Sequence, residues 1–132
     1  MSAWGPGPFD NDDAADLMME LEDVPSWESV RFVFNEVLAN EEYVELAEGE
    51  RAYAAAALLT VATGKSDISA QDYLMILEAM GAPPTDLPEL ARAALKRIST
   101  GDSEIRELYL DSGSYNAWLG LLRATDEALS AL

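Results

Sequence analysis

The sequence predicts an all-α fold, a single compact array of about six or seven short helices around an alanine-rich central helix. Three observations indicate this fold class. Apolar residues return at spacings of three, four and seven along most of the chain. Capping residues and glycines separate these periodic segments. No stretch alternates polar and β-branched residues between turns, as a strand would. The 132 residues are long enough for one domain with its own core, over residues 1–132.

The first ten residues predict a bent arm that packs on this domain. Glycine and proline alternate over Gly5–Pro8, so the glycines can adopt backbone angles closed to other residues while the prolines stiffen the chain. Trp4 and Phe9 are two large apolar anchors. Asp10 or Asn11 can accept the free amide hydrogens of the following helix. Packing is the favoured interpretation, and a recognition site built from the loop and its carboxylates is the alternative.

Two helices should follow the arm. The first runs from Asn11 to about Asp23 and is amphipathic, with one acidic face. Val24-Pro25 interrupts it, and Ser26 can cap a second helix. The second helix has an apolar stripe wide enough for deep burial, formed by Trp27, Val30, Val33, Phe34, Val37 and Leu38.

The alanine-rich run from Ala52 to Ala62 predicts the central helix. Alanine favours the helix and lets neighbouring backbones approach closely. We expect Gly49 to mark a break before this helix. We expect Gly64 to end it in a left-handed turn.

Capping patterns predict a fourth and a fifth helix. Ser69–Asp72 forms a capping box for the fourth, which ends at Gly81, and Asp86–Glu89 forms a second box for the fifth. We expect the three bases of the fifth helix to complement its dipole and to pair with the acidic first half of the chain. These bases are Arg92, Lys96 and Arg97.

Two more helices complete the prediction. The sixth follows Thr100-Gly101-Asp102 and ends at Ser112-Gly113, and Ser114 caps the last one. Apolar residues at helical spacing give each of them an inward face. These residues are Ile105, Leu108 and Tyr109 in the sixth helix, and Tyr115, Trp118, Leu119, Leu122 and Leu129 in the seventh.

The charge of the chain is large and unevenly distributed. The net charge is −17; residues 1–50 hold fourteen acids and one base, while residues 51–132 hold eleven acids and seven bases. The halves therefore carry −13 and −4. Direct binding to nucleic acid or to anionic membranes is disfavoured, because no basic stripe is present. We expect a basic partner protein. The candidate interaction surface comprises Asp10, Asp12, Asp13, Asp16 and Glu20.

The residue types needed for most catalysis are missing. The chain has no histidine and no cysteine, which removes the commonest general base and every thiol nucleophile. The register Asp10, Asp12, Ala14 lacks the third carboxylate and the glycine of a calcium-binding loop. No phosphate loop or dinucleotide fingerprint occurs. The sequence predicts a protein that is not an enzyme and needs no metal or cofactor. A carboxylate-dependent hydrolase is the alternative.

Two motifs carry a family resemblance. Trp4-Gly5-x-Gly7-x-Phe9-x-Asn11-Asp12 resembles the opening signature of the domain-of-unknown-function 4259 family, small bacterial helical proteins. The segment Ser103–Tyr109 and the later Tyr115 and Trp118 are similar to a second motif of this family, although isoleucine and tyrosine replace an expected leucine and tryptophan. The signature residues are Trp4, Gly5, Gly7, Phe9, Asn11, Tyr109, Tyr115 and Trp118. The family carries no assigned activity, so the resemblance implies no catalytic residue.

These observations predict an intracellular binding or regulatory module whose acidic first half meets a basic partner protein. One version is an immunity-like neutraliser of a bacterial toxin. Another is an acidic mimic of nucleic acid, which would compete with DNA for a nuclease or repressor. No stretch reaches the ~18 apolar residues of a membrane span, and no secretory signal is visible. The sequence therefore predicts a cytoplasmic protein.

Overall fold

The computed structural model describes residues 5–66 and 70–132, which form seven α-helices and one short 3-10 turn. No strand occurs in these two ranges, which confirms the predicted all-helical fold. The helices are α1 (Asp12–Asp23), α2 (Trp27–Ala39), α3 (Leu46–Ala62), α4 (Leu74–Met80), α5 (Leu87–Thr100), α6 (Glu104–Ser112) and α7 (Tyr115–Ser130). The 3-10 turn, Ala70–Tyr73, leads into α4.

Helix α3 is the centre of the fold, as its alanine content predicts. It packs against α1, α2, α5, α6 and α7. Every residue from Ala52 to Val61 is buried, so this part of the helix is enclosed on all sides. Small side chains make such enclosure possible, because they let several helices approach one axis. Gly64 follows α3 with φ +74°, the left-handed conformation expected of a glycine at a helix end.

The start of α3 differs from the prediction. The helix begins at Leu46, so Gly49 lies inside it and does not break the chain. A Cβ atom on Gly49 would lie only 2.8 Å from Cγ2 of Ile105 in α6. The glycine therefore permits the close packing of α6 against α3. It is needed for contact between helices and not for a turn.

Glutamates from two parts of the chain cap the early start of α3. The backbone amide of Glu45 donates to Oε1 of Glu48 at 3.1 Å. The amide of Leu46 donates to Oε1 of Glu104 at 3.0 Å. Glutamate is not among the preferred N-cap residues, and Glu104 is distant in sequence. For both reasons this start was not predicted.

The other predicted caps are partly confirmed. Asn11 caps α1 by accepting from the amide of Ala14 at 2.7 Å, and side chains also cap α2 and α6. Asp86 and Ser114 occupy N-cap positions, but neither side chain makes a capping hydrogen bond. The prediction of a capping box at Asp86 was therefore wrong. Ser69 lies outside the described residues.

Ion pairs join elements that are distant in the sequence. Nη1 of Arg31 in α2 lies 2.6 Å from Oδ2 of Asp86, at the start of α5. This contact explains why the Asp86 carboxylate does not cap its own helix. Arg31 donates to both Asp86 oxygens, and these hydrogen bonds lower the pKa of the Asp86 carboxyl group.

The expected role of the basic cluster in α5 requires correction. Nε of Arg92 pairs with Oδ1 of Asp126 in α7 at 2.9 Å, so its partner is not an acid of the first half. Arg97 donates to two backbone carbonyls, those of Asn40 and Asp102, each at 3.2 Å. No ion pair in the described ranges joins this cluster to an acid of residues 1–50.

None of the helices in the described parts of the chain has the length and apolar character needed to cross a membrane.

Candidate functional site

The described part of the amino-terminal arm is tied to α6 and folded on itself. The Tyr109 hydroxyl donates to the backbone carbonyl of Gly5 at 3.1 Å. The amide of Gly7 donates to Oδ2 of Asp10 at 3.0 Å. The Phe9 ring packs 4.8 Å from the Tyr73 ring, centre to centre. Trp4, the other expected anchor, lies outside the described residues.

At the two arm glycines, the side chain of Asp10 occupies the space beside the backbone. Positive φ occurs at other glycines of the described chain, but not at Gly5 or Gly7. A Cβ atom would lie 2.7 Å from Oδ2 of Asp10 at Gly5, and 2.5 Å from it at Gly7. The carboxylate of Asp10 therefore fills the space that side chains at the two glycines would need. This corrects the conformational role that the sequence predicts for them.

An aromatic cluster connects the arm with the second motif. The Trp118 side chain is fully buried, and its ring stacks on Tyr109 with centroids 5.3 Å apart and planes 12° apart. Tyr115 lies 5.9 Å away in a tilted arrangement, and Tyr53 of α3 lies 6.5 Å away in an edge-on one. Aromatic pairs at these distances stabilise a core beyond their area burial. The signature residues at the two ends of the chain thus meet through Tyr109.

The phenols of this cluster are poorly suited to acid-base chemistry. Burial, together with the smaller effects of the nearby charges of Glu50 and Asp10, raises the pKa of Tyr109 to about 12. Burial also raises the pKa of Tyr53. Both groups stay neutral at physiological pH, whereas a general base has its pKa near the working pH. This arrangement agrees with a packing role for the signature residues.

Glu50 is a buried acid that sequence reasoning missed. Its side chain is fully buried in α3, close enough to Tyr109 to influence that phenol. The only signal in the sequence was its position just before the alanine-rich run, which we expected to be preceded by a break. With α3 starting earlier than predicted, Glu50 becomes part of the central helix.

The five acids of the predicted interaction surface have different environments. The carboxylate of Asp10 is engaged within the arm. Oε2 of Glu20 pairs with Nη1 of Arg51 at 2.6 Å. Asp12 and Asp16 are exposed, and Asp13 is half-buried. Two of the five are therefore held by neighbouring groups, and the exposed ones lie along α1.

A groove between α1 and α2 adds apolar surface to these acids. We call it the acidic groove; its volume is about 550 Å³. It is lined by Leu17, Glu20, Asp23, Val24, Glu28, Ser29, Phe32 and Arg51. Val24 and Phe32 are 60% and 62% exposed. Sequence analysis missed both, because Val24 falls in the helix break and Phe32 lies off the apolar stripe of α2.

The acids do not form a metal site in the described ranges. No group of three or more Asp or Glu side chains there is arranged to hold a metal ion. The six carboxylates of α1 are instead spread over the whole length of the helix, from Asp12 to Asp23.

Comparison with known proteins places the chain in a family. No curated protein and no solved structure matches the chain. A family described as a domain of unknown function, DUF4259, matches residues 2–120 of the 132. The match includes both the arm and the second motif with Trp118. The chain therefore belongs to the domain-of-unknown-function 4259 family.

Proposed function

We propose that the protein is a non-enzymatic binding or regulatory module whose acidic groove receives a basic segment of a partner protein. The observation that carries this proposal is the exposure of two apolar side chains inside a rim of carboxylates. Val24 and Phe32 each leave more than half of their surface in water. Because each side chain is already partly covered, burying the rest of it against a partner contributes about 1–2 kcal/mol.

The charge of the groove favours a cationic partner. Three acids, Glu20, Asp23 and Glu28, line it with one base, Arg51, which pairs with Glu20 at 2.6 Å. Arg31 does contact Glu28, at 3.3 Å, but both of its other nitrogens are directed to Asp86. In a partner, a lysine or arginine would complement the carboxylates of the rim, and an adjacent apolar residue would pack on Val24 and Phe32.

The rest of α1 extends the acidic surface beyond the groove. Asp12, Asp16, Glu20 and Asp23 follow one another at spacings of four, four and three residues, which places them along one side of the helix. A stripe of this kind raises the rate at which a basic partner is encountered. Asp12, Asp16 and Glu20 of this stripe belong to the interaction surface that the sequence predicts.

A toxin-neutralising protein is the specific version of this proposal that we favour. A nucleic-acid mimic needs acids arranged like phosphates, but it has no use for exposed apolar side chains such as Phe32. A protein partner can fill the groove with an apolar side chain and engage the rim with its bases. The exposed Phe32 therefore favours a partner surface with both apolar and basic groups over the purely basic surface that a mimic of nucleic acid would meet.

Affinity capture with matched variants tests the proposal. The tagged protein would be incubated with lysate of its source organism at about 50 mM and about 500 mM NaCl, because salt screens contacts between exposed charges. The groove variant combines Asp23→Asn, Glu28→Gln and Phe32→Ser. The control variant combines Asp111→Asn, Glu127→Gln and Leu110→Ser, which changes charge and apolar surface equally at exposed positions outside the groove.

We expect the wild-type protein and the control variant to retain the same basic protein at low salt and to release it at high salt. The groove variant should lose it. Retention by the groove variant at the wild-type level would contradict the proposed site. Retention that is unaffected by salt would contradict the electrostatic part of the proposal.

A further inference from the structure

A second groove differs in charge from the rest of the molecule. It lies between α5 and α7 and has a volume of about 490 Å³. Three of the eight bases of the chain line it, with a single carboxylate. These residues are Arg92, Lys96, Arg123 and Asp126. The groove thus has a local excess of two positive charges in a protein whose net charge is −17. We call it the cationic groove.

Two of the three bases are available to a ligand. Arg92 is held by Asp126, with Nε and Oδ1 2.9 Å apart. Lys96 and Arg123 are exposed, and no ion pair in the described ranges includes either of them. Acids outnumber bases by about three to one in this chain, with 25 against 8, yet these two cations face a groove that holds one committed acid.

The walls of the cationic groove also include apolar side chains, beside the hydroxyl groups of Ser99 and Thr100. Tyr115 and Leu119 of α7 line it and are half-buried, and Leu122 lies beside them. Small-molecule sites typically combine a concave apolar surface of about 300–1,000 Å³ with a few well-placed polar groups. The groove has this size and this combination.

We propose that the cationic groove binds a small organic monoanion, a carboxylate with an apolar body of about the size of a phenylalkyl group. The carboxylate would lie between Lys96 and Arg123, and the apolar body would pack on Tyr115 and Leu119. This site is separate from the acidic groove and does not depend on the function proposed for it.

The charge of the whole molecule selects a monoanion over a polyanion. Attraction to the groove is limited by its two available cations, whereas repulsion from the other acids grows with every charge that the ligand carries. Nucleic acids and acidic peptides are therefore disfavoured. A single carboxylate uses the local cations and experiences the least repulsion.

Titration of the intact protein with 4-phenylbutyrate tests this inference. Binding would be followed by isothermal calorimetry and by methyl NMR shifts of Leu119 and Leu122. We expect saturable binding, with the uncharged 4-phenylbutyramide weaker by about fivefold or more, because the amide cannot form the charge contacts. Lys96→Gln and Arg123→Gln should each weaken binding of the carboxylate by about fivefold.

Lys65→Gln is the matched control, because it removes one exposed base outside the cationic groove. It should leave the affinity within about twofold of the wild type. The inference would be overturned by equal binding of the amide, by equal loss of affinity in Lys65→Gln, or by no saturation at millimolar ligand. NMR shifts located away from α5 and α7 would overturn it as well, and this readout needs no variant.

Discussion

Gly49 illustrates how a neighbouring helix limits the size of the side chain at a single position. The nearest atom to a Cβ added there belongs to Ile105, at 2.8 Å. Gly49→Ala should therefore lower the free energy of unfolding by about 1–3 kcal/mol, the usual cost of overpacking a core. Urea denaturation would measure the change.

Gly120→Ala is the control for this substitution. Gly120 also lies within a helix, but no neighbouring atom lies within 4 Å of its added Cβ. Alanine should stabilise this position by about 0.5–1 kcal/mol, because it restricts the unfolded chain and favours the helix. If both substitutions changed the stability in the same direction, the contact with Ile105 would not be the reason for glycine at position 49.

Tyr109 should make the free energy of unfolding fall as the pH rises through the alkaline range. Its pKa is raised to about 12 in the folded protein, against ~10 in the unfolded chain. Its contribution is fully present below pH ~10, where both states are protonated, and is lost as the pH rises towards 12 because the unfolded state loses its proton first. Between pH 9 and 11.5, Tyr109→Phe should therefore lose less stability than the wild type.

The same variant should be less stable at neutral pH. The phenylalanine cannot donate to the carbonyl of Gly5, which should cost about 0.5–1.5 kcal/mol. Urea denaturation of both proteins at pH 7, 9 and 11.5 gives the difference in stability at neutral pH and the loss of stability of each protein at alkaline pH. An unchanged alkaline loss in the variant would show that Tyr109 is not responsible for it.

At the scale of the helix, substitution should distinguish N-cap residues whose side chains make a capping hydrogen bond from N-cap residues whose side chains make none. Asn11 is buried and accepts from the amide of Ala14, so Asn11→Ala should cost about 1–2 kcal/mol. Ser114 has no capping hydrogen bond, so Ser114→Ala should change the stability by less than about 0.5 kcal/mol. Thermal and urea denaturation of the pair would check this, and equal losses would contradict the assignment of the caps.

Helix interiors could be predicted because their signals are local. The apolar stripe of α2 and the alanine run of α3 indicate which residues face inward, and both are confirmed except at Leu38 and Ala62, which are half-buried. Errors arose where a distant residue decided the outcome. Glu104 caps α3 from α6, and Arg31 binds the side chain of Asp86 across 55 positions of the sequence. A local sequence pattern does not show which distant side chain will bind a capping residue or a helix end.

The grooves could not be predicted for a related reason. Exposed acids on α1 were identified from periodicity, but the position of Phe32 beside them depends on how α1 and α2 both pack against α3. In the same way, Lys96 and Arg123 belong to different helices, and only the packing of α5 on α7 brings them to one groove. Sequence spacing shows which face of a helix a residue occupies, but not which face of another helix it will meet.

For the molecule as a whole, the excess of negative charge should oppose folding. With a net charge of −17, carboxylates are brought closer together in the compact state than in the unfolded chain, and their repulsion destabilises the folded protein. Raising NaCl from about 20 mM to about 500 mM shortens the Debye length from about 20 Å to about 4 Å. The melting temperature should therefore rise by several degrees with salt.

Neutralising acids should reduce this salt effect. A variant with Asp16→Asn, Glu22→Gln and Asp23→Asn removes three exposed charges from α1, away from the described ion pairs and from the first turn, where the helix dipole favours acids. It should melt above the wild type at low salt and approach it at high salt, because screening removes the repulsion that the substitutions relieve. Calorimetry at several NaCl concentrations would measure both slopes. Equal slopes would mean that the three substituted acids do not contribute to the repulsion. A wild-type melting temperature that falls as salt is added would mean that ion pairs such as Arg51–Glu20 outweigh the repulsion among the exposed acids.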